Sequence, residues 1–383
     1  MSVCALTKAP WRFRLCGLIA WAALSLVAVP GYAVTFVVNT TADTADAVPG
    51  DGRCADSGNA CSLRAAVQEA NALAGPDTIQ LGAATYVLSG AAGDDLAVSG
   101  DLDITGDLTL TGAGTASTII DGGGFDRVLD IDPSGVGVSV TIANLTVRGG
   151  GSNNAPAQAG GGIRNRGTLS LSNVTLAANS AGINGGGLLN LGTLTLTNTT
   201  VSGNTAGTDG GGIYNSGGGT LTITASTLSG NSANSAGRNG GGIFNASAAT
   251  LTNVTVSGNS ANSGGGGVFN SGGTATLVNV TLDENSAPIG GGISNPAGTV
   301  TLTNTLVANS TGGNCSGAIS SGGNNLDSGS TCAFAGKAML HQPARIKSEE
   351  DIHPSRPAEI GEQQEPGTRI EGERQQALAI GLS

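Results

Sequence analysis

The sequence is poor in the groups that usually carry chemistry. Aromatic residues are 3% of the 383 residues and charged residues 11%. So few rings exclude a core built on Phe, Tyr and Trp. Between residues 34 and 336 there is neither His nor Lys, which removes the Ser-His-Asp and Cys-His nucleophilic triads. With a net charge of −11 and no basic cluster beside aromatics, a nucleic-acid binder is excluded. Pro is only 12, and Gly does not recur at every third position, so the chain is not collagenous. The apolar run Leu15–Val29 is shorter than the ~20 residues of a spanning helix. What is abundant is Gly, 65 residues, and that demands many tight turns around a core of Val, Ile and Leu.

Both ends differ from the middle. Lys8, Arg12 and Arg14 precede the apolar run, and Gly31 and Ala33 follow it. A basic start, an apolar middle and small residues describe a secretory signal peptide over 1–33, cut after Ala33. Residues 336–383 hold both His residues, His341 and His353, with Pro343, Pro354, Pro357 and Pro366 and many charges. They show no apolar period and read as a disordered tail.

The middle is a repeat. Gly-Gly-Gly followed by Ile, Leu or Val begins at Gly160, Gly185, Gly210, Gly240, Gly265 and Gly290. Two positions after the aliphatic residue stands Asn165, Asn190, Asn215, Asn245, Asn270 or Asn295. Each copy continues with an alternating run such as TLTLTNTTV at 193–201 and closes on Asn179, Asn204, Asn231, Asn259, Asn285 or Asn309. Alternation of Leu, Val or Ile with Thr specifies strands. One such unit cannot bury its apolar face, whereas stacked units can. The fold class is therefore all-β, a parallel β-helix over 79–335 with roughly ten coils at the ~4.8 Å strand spacing. Ile163, Leu188, Ile213, Ile243, Val268 and Ile293 form one interior column. The Asn residues form turn-stabilising ladders by side-chain bonds from coil to coil. The Asn-x-Thr triplets such as Asn173-Val174-Thr175 fit glycosylation acceptors formally, but strand-to-turn chemistry accounts for them.

A β-helix end must be capped. Ser62 is an N-cap, Leu63, Ala66, Val67, Ala70 and Leu73 have helical spacing, and Gly75-Pro76 stop the helix. This helix caps the N-terminal end. Cys54, Cys61, Cys315 and Cys332 allow three pairings, of which two local bridges, Cys54–Cys61 and Cys315–Cys332, are the simplest in an exported chain.

The segments Thr35–Asp43, DGRCADSGNACSLRAAVQEANA at 51–72 and Asp77-Thr78-Ile79 resemble the CSLREA domain, which lies at the N-terminus of exported bacterial β-helix proteins. Residues 34–78 correspond to that cap, with Ala65 where the family has Glu. The repeats resemble the right-handed β-helix of the pectin-lyase type and the repeats of polymorphic outer-membrane proteins. GGNNLDSGSTCAF at 322–334 is similar to the segment called choice-of-anchor Q. The resemblance covers about 35–335. It implies export to the cell surface or outer membrane of a bacterium and specifies no activity. It ends abruptly after Phe334, which suggests a frameshifted or otherwise altered C-terminus, with a genuine flexible tail as the alternative.

Candidate chemistry is confined to the early coils. Glycoside hydrolysis needs two carboxyls facing one substrate across ~5–9.5 Å. The candidates are Asp94-Asp95, Asp101, Asp103, Asp107, Asp121, Asp126, Asp130 and Asp132. The spacing of Asp101, Asp103 and Asp107 places them on one outer face, read as a solvated acidic surface, with calcium as a conceivable ligand. Tyr86, Phe125, Tyr214, Phe244 and Phe269 are too few for a carbohydrate platform, and structural stacking is the default for the last three. The expectation is a noncatalytic, adhesin-like or passenger-type module, monomeric, binding a surface glycan or protein and meeting membrane only through its export signal. The alternative is a lyase or hydrolase using the early Asp residues.

Overall fold

The computed structural model describes residues 31–90, 97–151 and 159–334. The expected signal peptide up to residue 30, Asp94-Asp95 and the tail from 335 lie outside the described residues.

The described residues form a right-handed parallel β-helix of about eight turns, fewer than the ten expected, with one short helix among them. Its first elements are β1 (Thr35–Val37), α1 (Leu63–Ala72), β2 (Asp77–Gln80), β3 (Thr85–Val87), β4 (Leu102–Ile104) and β5 (Leu108–Thr111). They are followed by β6 (Ile119–Asp121), β7 (Leu129–Ile131), β8 (Ser139–Arg148), β9 (Ile163–Asn165) and β10 (Thr168–Ala177). The first rung precedes the expected start at residue 79, because β1 pairs with β2 in parallel and β2 with β5.

Period-2 alternation turns one side of every strand inward. One interior column runs Leu102, Leu129, Ile163, Leu188, Ile213, Ile243, Val268 and Ile293, in register and all buried. A second runs from Ile79 through Leu110, Ile142, Leu171, Leu196 and Ile223 to Leu302. Burying each such side chain contributes about 1.5–3 kcal/mol, and no unit gains this without its neighbours.

Three Asn ladders run along the stack. In the first, the Nδ2 of Asn165, Asn190, Asn215, Asn245 and Asn270 each donates to Oδ1 of the next, at 2.8–2.9 Å, and Asn295 donates to Ala318 O. All are buried, so the ladder offsets an amide desolvation of several kcal/mol per residue. Asn165 Oδ1 has no partner, because the residue beneath it is Ile131, which has no donor. In the second, Asn179, Asn204, Asn231, Asn259 and Asn285 bond in the same way. Asn309 does not join it. It lies one position early, at φ 50°, where Gly203 or Gly258 stands in other coils, and Ser310 takes the ladder place and donates its N–H to Asn314 Oδ1. The third ladder is external. Asn144, Asn173, Asn198, Asn253, Asn279 and Asn304 all have positive φ, and Asn173 donates to Asn144, Asn279 to Asn253 and Asn304 to Asn279. All but Asn304, which is followed by Thr305-Leu306, are the Asn of Asn-x-Thr triplets, and all six serve as left-handed turns.

The Gly triplets serve two needs. The first Gly is left-handed, as at Gly210 (φ 71°). The third leaves no room for a side chain: a Cβ on Gly212 would lie 2.6 Å from Gly242 O and 3.1 Å from the Asn231 side chain. Helix α1 begins where Ser62 Oγ accepts the Ala65 N–H at 3.0 Å. It packs Leu63, Ala66, Val67 and Ala70 into the core. Cys54–Cys61 and Cys315–Cys332 are disulfides.

Candidate functional site: a buried acidic cluster in the early coils

β4 and β7 lie side by side with Asp103 opposite Asp130, and β9 adds Arg164 in the same row. The alternation that sends Leu102, Ile104, Leu129 and Ile131 inward sends Asp103 and Asp130 the other way. They are nevertheless 0% exposed, as is Asp101. This overturns the expected solvated face of Asp101, Asp103 and Asp107. The reason is a lid from the cap. Arg64 on α1 donates to Ala97 O, Gly100 O and Asp101 O and pairs with Asp43 through both carboxylate oxygens. Gln68 donates to Ala97 O, Asn71 donates to Asp103 O, and the Ala97 N–H donates to Asp103 Oδ2 at 2.7 Å. Asp107 is outside this arrangement, exposed and accepting the Ser139 N–H.

Two guanidiniums neutralise the cluster from within. Arg127 Nε is 2.6 Å from Asp101 Oδ2, and its Nη2 is 3.4 Å from Asp130 Oδ2. Arg164 Nε donates to Asp130 Oδ1 at 2.8 Å, and its Nη2 meets Asp130 Oδ2. Asp126 is also buried and accepts the Arg127 N–H. Four carboxyls thus surround two guanidiniums, and Asp101 Oδ1 has no hydrogen-bond partner. Burial pushes Asp101 up to about 8, helped by Asp103 and Asp126 and opposed by Arg127. At neutral pH its proton removes one of the two excess charges.

Asp101, Asp103 and Asp130 each offer an oxygen, all within 4.8 Å of one another, the type of donor a divalent cation prefers. Arg127 and Arg164 already take one oxygen of Asp101 and both of Asp130. A calcium ion, which uses six to eight oxygens, would have to displace them. A carboxyl held near 8 also suits general acid catalysis, but at 0% exposure it cannot reach a polymer.

The other early carboxyls are engaged too. Asp132, at φ 56°, accepts the Val136, Gly137 and Val138 N–H groups. Burial alone would raise its pKa, and these donors outweigh it and hold it low. Asp121 pairs with Arg148 at 2.8 Å. Of the aromatics, Tyr86 is buried in a column with Ile120, and Phe125 is exposed. Tyr214, Phe244 and Phe269 stack outside the first Asn ladder, at 4.7 Å and 5.4 Å between centroids. Phe244 is sandwiched between the other two rings, with Leu189 and Ser294 next in the row on either side.

No family model matches the chain, and no curated protein matches it. Among solved structures it is similar to the A-module of the mannuronan C-5 epimerase AlgE4 of Azotobacter vinelandii. The TM-score is 0.35 at 18% identity, over 73% of this chain and 89% of that one.

Proposed function

We propose that the protein is a noncatalytic exported β-helix, displayed at the surface of a bacterium, that binds or spaces rather than converts. The observation that carries this reading is the fate of the early carboxyls. Asp101, Asp103 and Asp130 are buried; Asp101 and Asp130 are bound by arginines and Asp103 accepts the Ala97 N–H under the cap, whereas hydrolysis or elimination needs carboxyls open to substrate. One outer row of the regular coils is uncharged and regular. Thr195, Thr222, Thr250, Thr276 and Thr301 stand in register along one row. Hydroxyls and methyls repeating from coil to coil suit a surface glycan or protein. Two disulfides accord with an oxidising compartment.

The test is to incubate the purified protein on arrayed pectin, alginate, host glycans and matrix proteins with calcium present, scoring retention and products in the same wells. Retention without turnover supports the reading. Turnover that disappears in Asp101→Ala or Asp130→Ala overturns it and establishes a carbohydrate-active protein instead.

A further inference from the structure

Asp77 is a buried carboxyl that has no counter-ion among the described residues. It opens β2 and is 1% exposed. Its Oδ1 accepts the Val34 N–H at 2.8 Å, and its Oδ2 has no hydrogen-bond partner. Among the described residues no guanidinium pairs with it; Arg64, Arg127, Arg148 and Arg164 are bound to Asp43, Asp101, Asp121 and Asp130. Burial pushes its pKa up, and the Val34 N–H offsets only part of this. An ionised carboxylate in this position is short of positive charge.

The group that touches it is the residue following the expected cleavage point. Val34 packs against the core, and its carbonyl accepts the Thr78 N–H at 2.8 Å. On the other side of the bond, Ala33 is exposed and Tyr32 is 87% exposed. Tyr32 and Ala33 form an exposed link between Gly31, which lies against Ala74 and Gly75, and Val34, immediately before β1. The small residues Gly31 and Ala33 select the Ala33–Val34 bond.

We propose that the chain is processed at Ala33–Val34 and that the new α-ammonium of Val34 is the counter-ion of Asp77. Water adds across the peptide bond, Ala33 leaves as a carboxylate, and the Val34 amine takes up a proton. A peptide nitrogen offers one N–H, whereas an ammonium offers three and a full charge. It satisfies Oδ1 and reaches the orphan Oδ2 of the same carboxyl. Processing thus turns an uncompensated buried carboxyl into an ion pair that fastens β1 onto β2, the first rung of the sheet. The cap is tightened by maturation. The processing half of this proposal rests on the export reading, and the pairing half does not.

Two experiments separate the halves. In the first, the chain from Val34 to Ser383 is prepared with a free amino terminus, and again with Tyr32-Ala33 retained, each with Asp77 and with Asp77→Asn. The free form is expected to melt at least about 2–4 °C higher than the extended form. The Thr78 amide is expected to exchange at least about tenfold more slowly in it. Both gaps close in Asp77→Asn. No gap, or an equal gap in Asp77→Asn, overturns the pairing. In the second, the full chain is secreted from a bacterial host and its amino terminus is sequenced. A start at Val34 supports processing, and any other start, or retention of the leader, overturns it.

Discussion

Asp101→Asn is expected to leave the protein nearly unchanged near pH 4 and to stabilise it increasingly as the pH rises towards 8. The side chain keeps its shape and can still accept from Arg127, but the carboxyl that burial holds at about 8 is gone. The sign follows from proton counts. Between the unfolded value near 3.8 and the folded value near 8, the folded state holds a proton that the unfolded state has lost. Wild-type stability therefore falls by about 1.4 kcal/mol per pH unit across that window, and the loss is complete above pH 8. The full difference is about 6 kcal/mol, an upper figure because opening of the cap admits water. Asp132 titrates in the opposite sense and below this window, since its pKa is held low, so it does not blur the comparison. The assay is thermal unfolding of wild type and Asp101→Asn from about pH 4 to 9, with hydrogen exchange at Leu102 and Leu129 to localise the effect. Parallel pH profiles for the two proteins, or a variant less stable than wild type at pH 9, would refute the reasoning.

Three further outcomes are expected. Asn215→Ala leaves Asn190 Nδ2 and Asn245 Oδ1 each without a ladder partner and is expected to cost about 2–5 kcal/mol in denaturant unfolding; an exposed turn substitution such as Asn198→Ala costs less than about 1 kcal/mol. Arg64→Ala removes the clamp between α1 and the 97–101 loop and exposes the acidic cluster, costing about 3–5 kcal/mol; limited proteolysis is expected to cut first between residues 89 and 101. Calcium titrated calorimetrically is expected to show no stoichiometric site in wild type, because Arg127 and Arg164 hold the carboxyls.

What could be read from the sequence is what repeats. The column from Ile163 to Ile293 and the ladder from Asn165 to Asn295 were visible because every coil restates them at nearly constant intervals. The acidic cluster does not repeat. Asp130 meets Arg164 across 34 residues, an interval unlike the regular coils, so no pattern announces the pair. Alternation told on which side of the strand Asp103 lies, but not that the 97–101 loop and α1 cover that side. Asn309 falls one position before the ladder place that the repeat pattern assigns to it, because the run before it has the same alternation while the turn after it is closed by Asn314 from further along the chain. The external ladder was disguised by Asn-x-Thr, where the left-handed backbone of Asn173 or Asn279 is the operative feature.

The central claim is that the early carboxyls build the end of the stack and perform no reaction. The most direct measurement is product formation from pectin and alginate by the protein starting at Val34, with calcium, beside its Asp130→Ala variant. The account predicts no product from either protein and a lower melting temperature for the variant. Product from wild type that Asp130→Ala abolishes while remaining folded would contradict it.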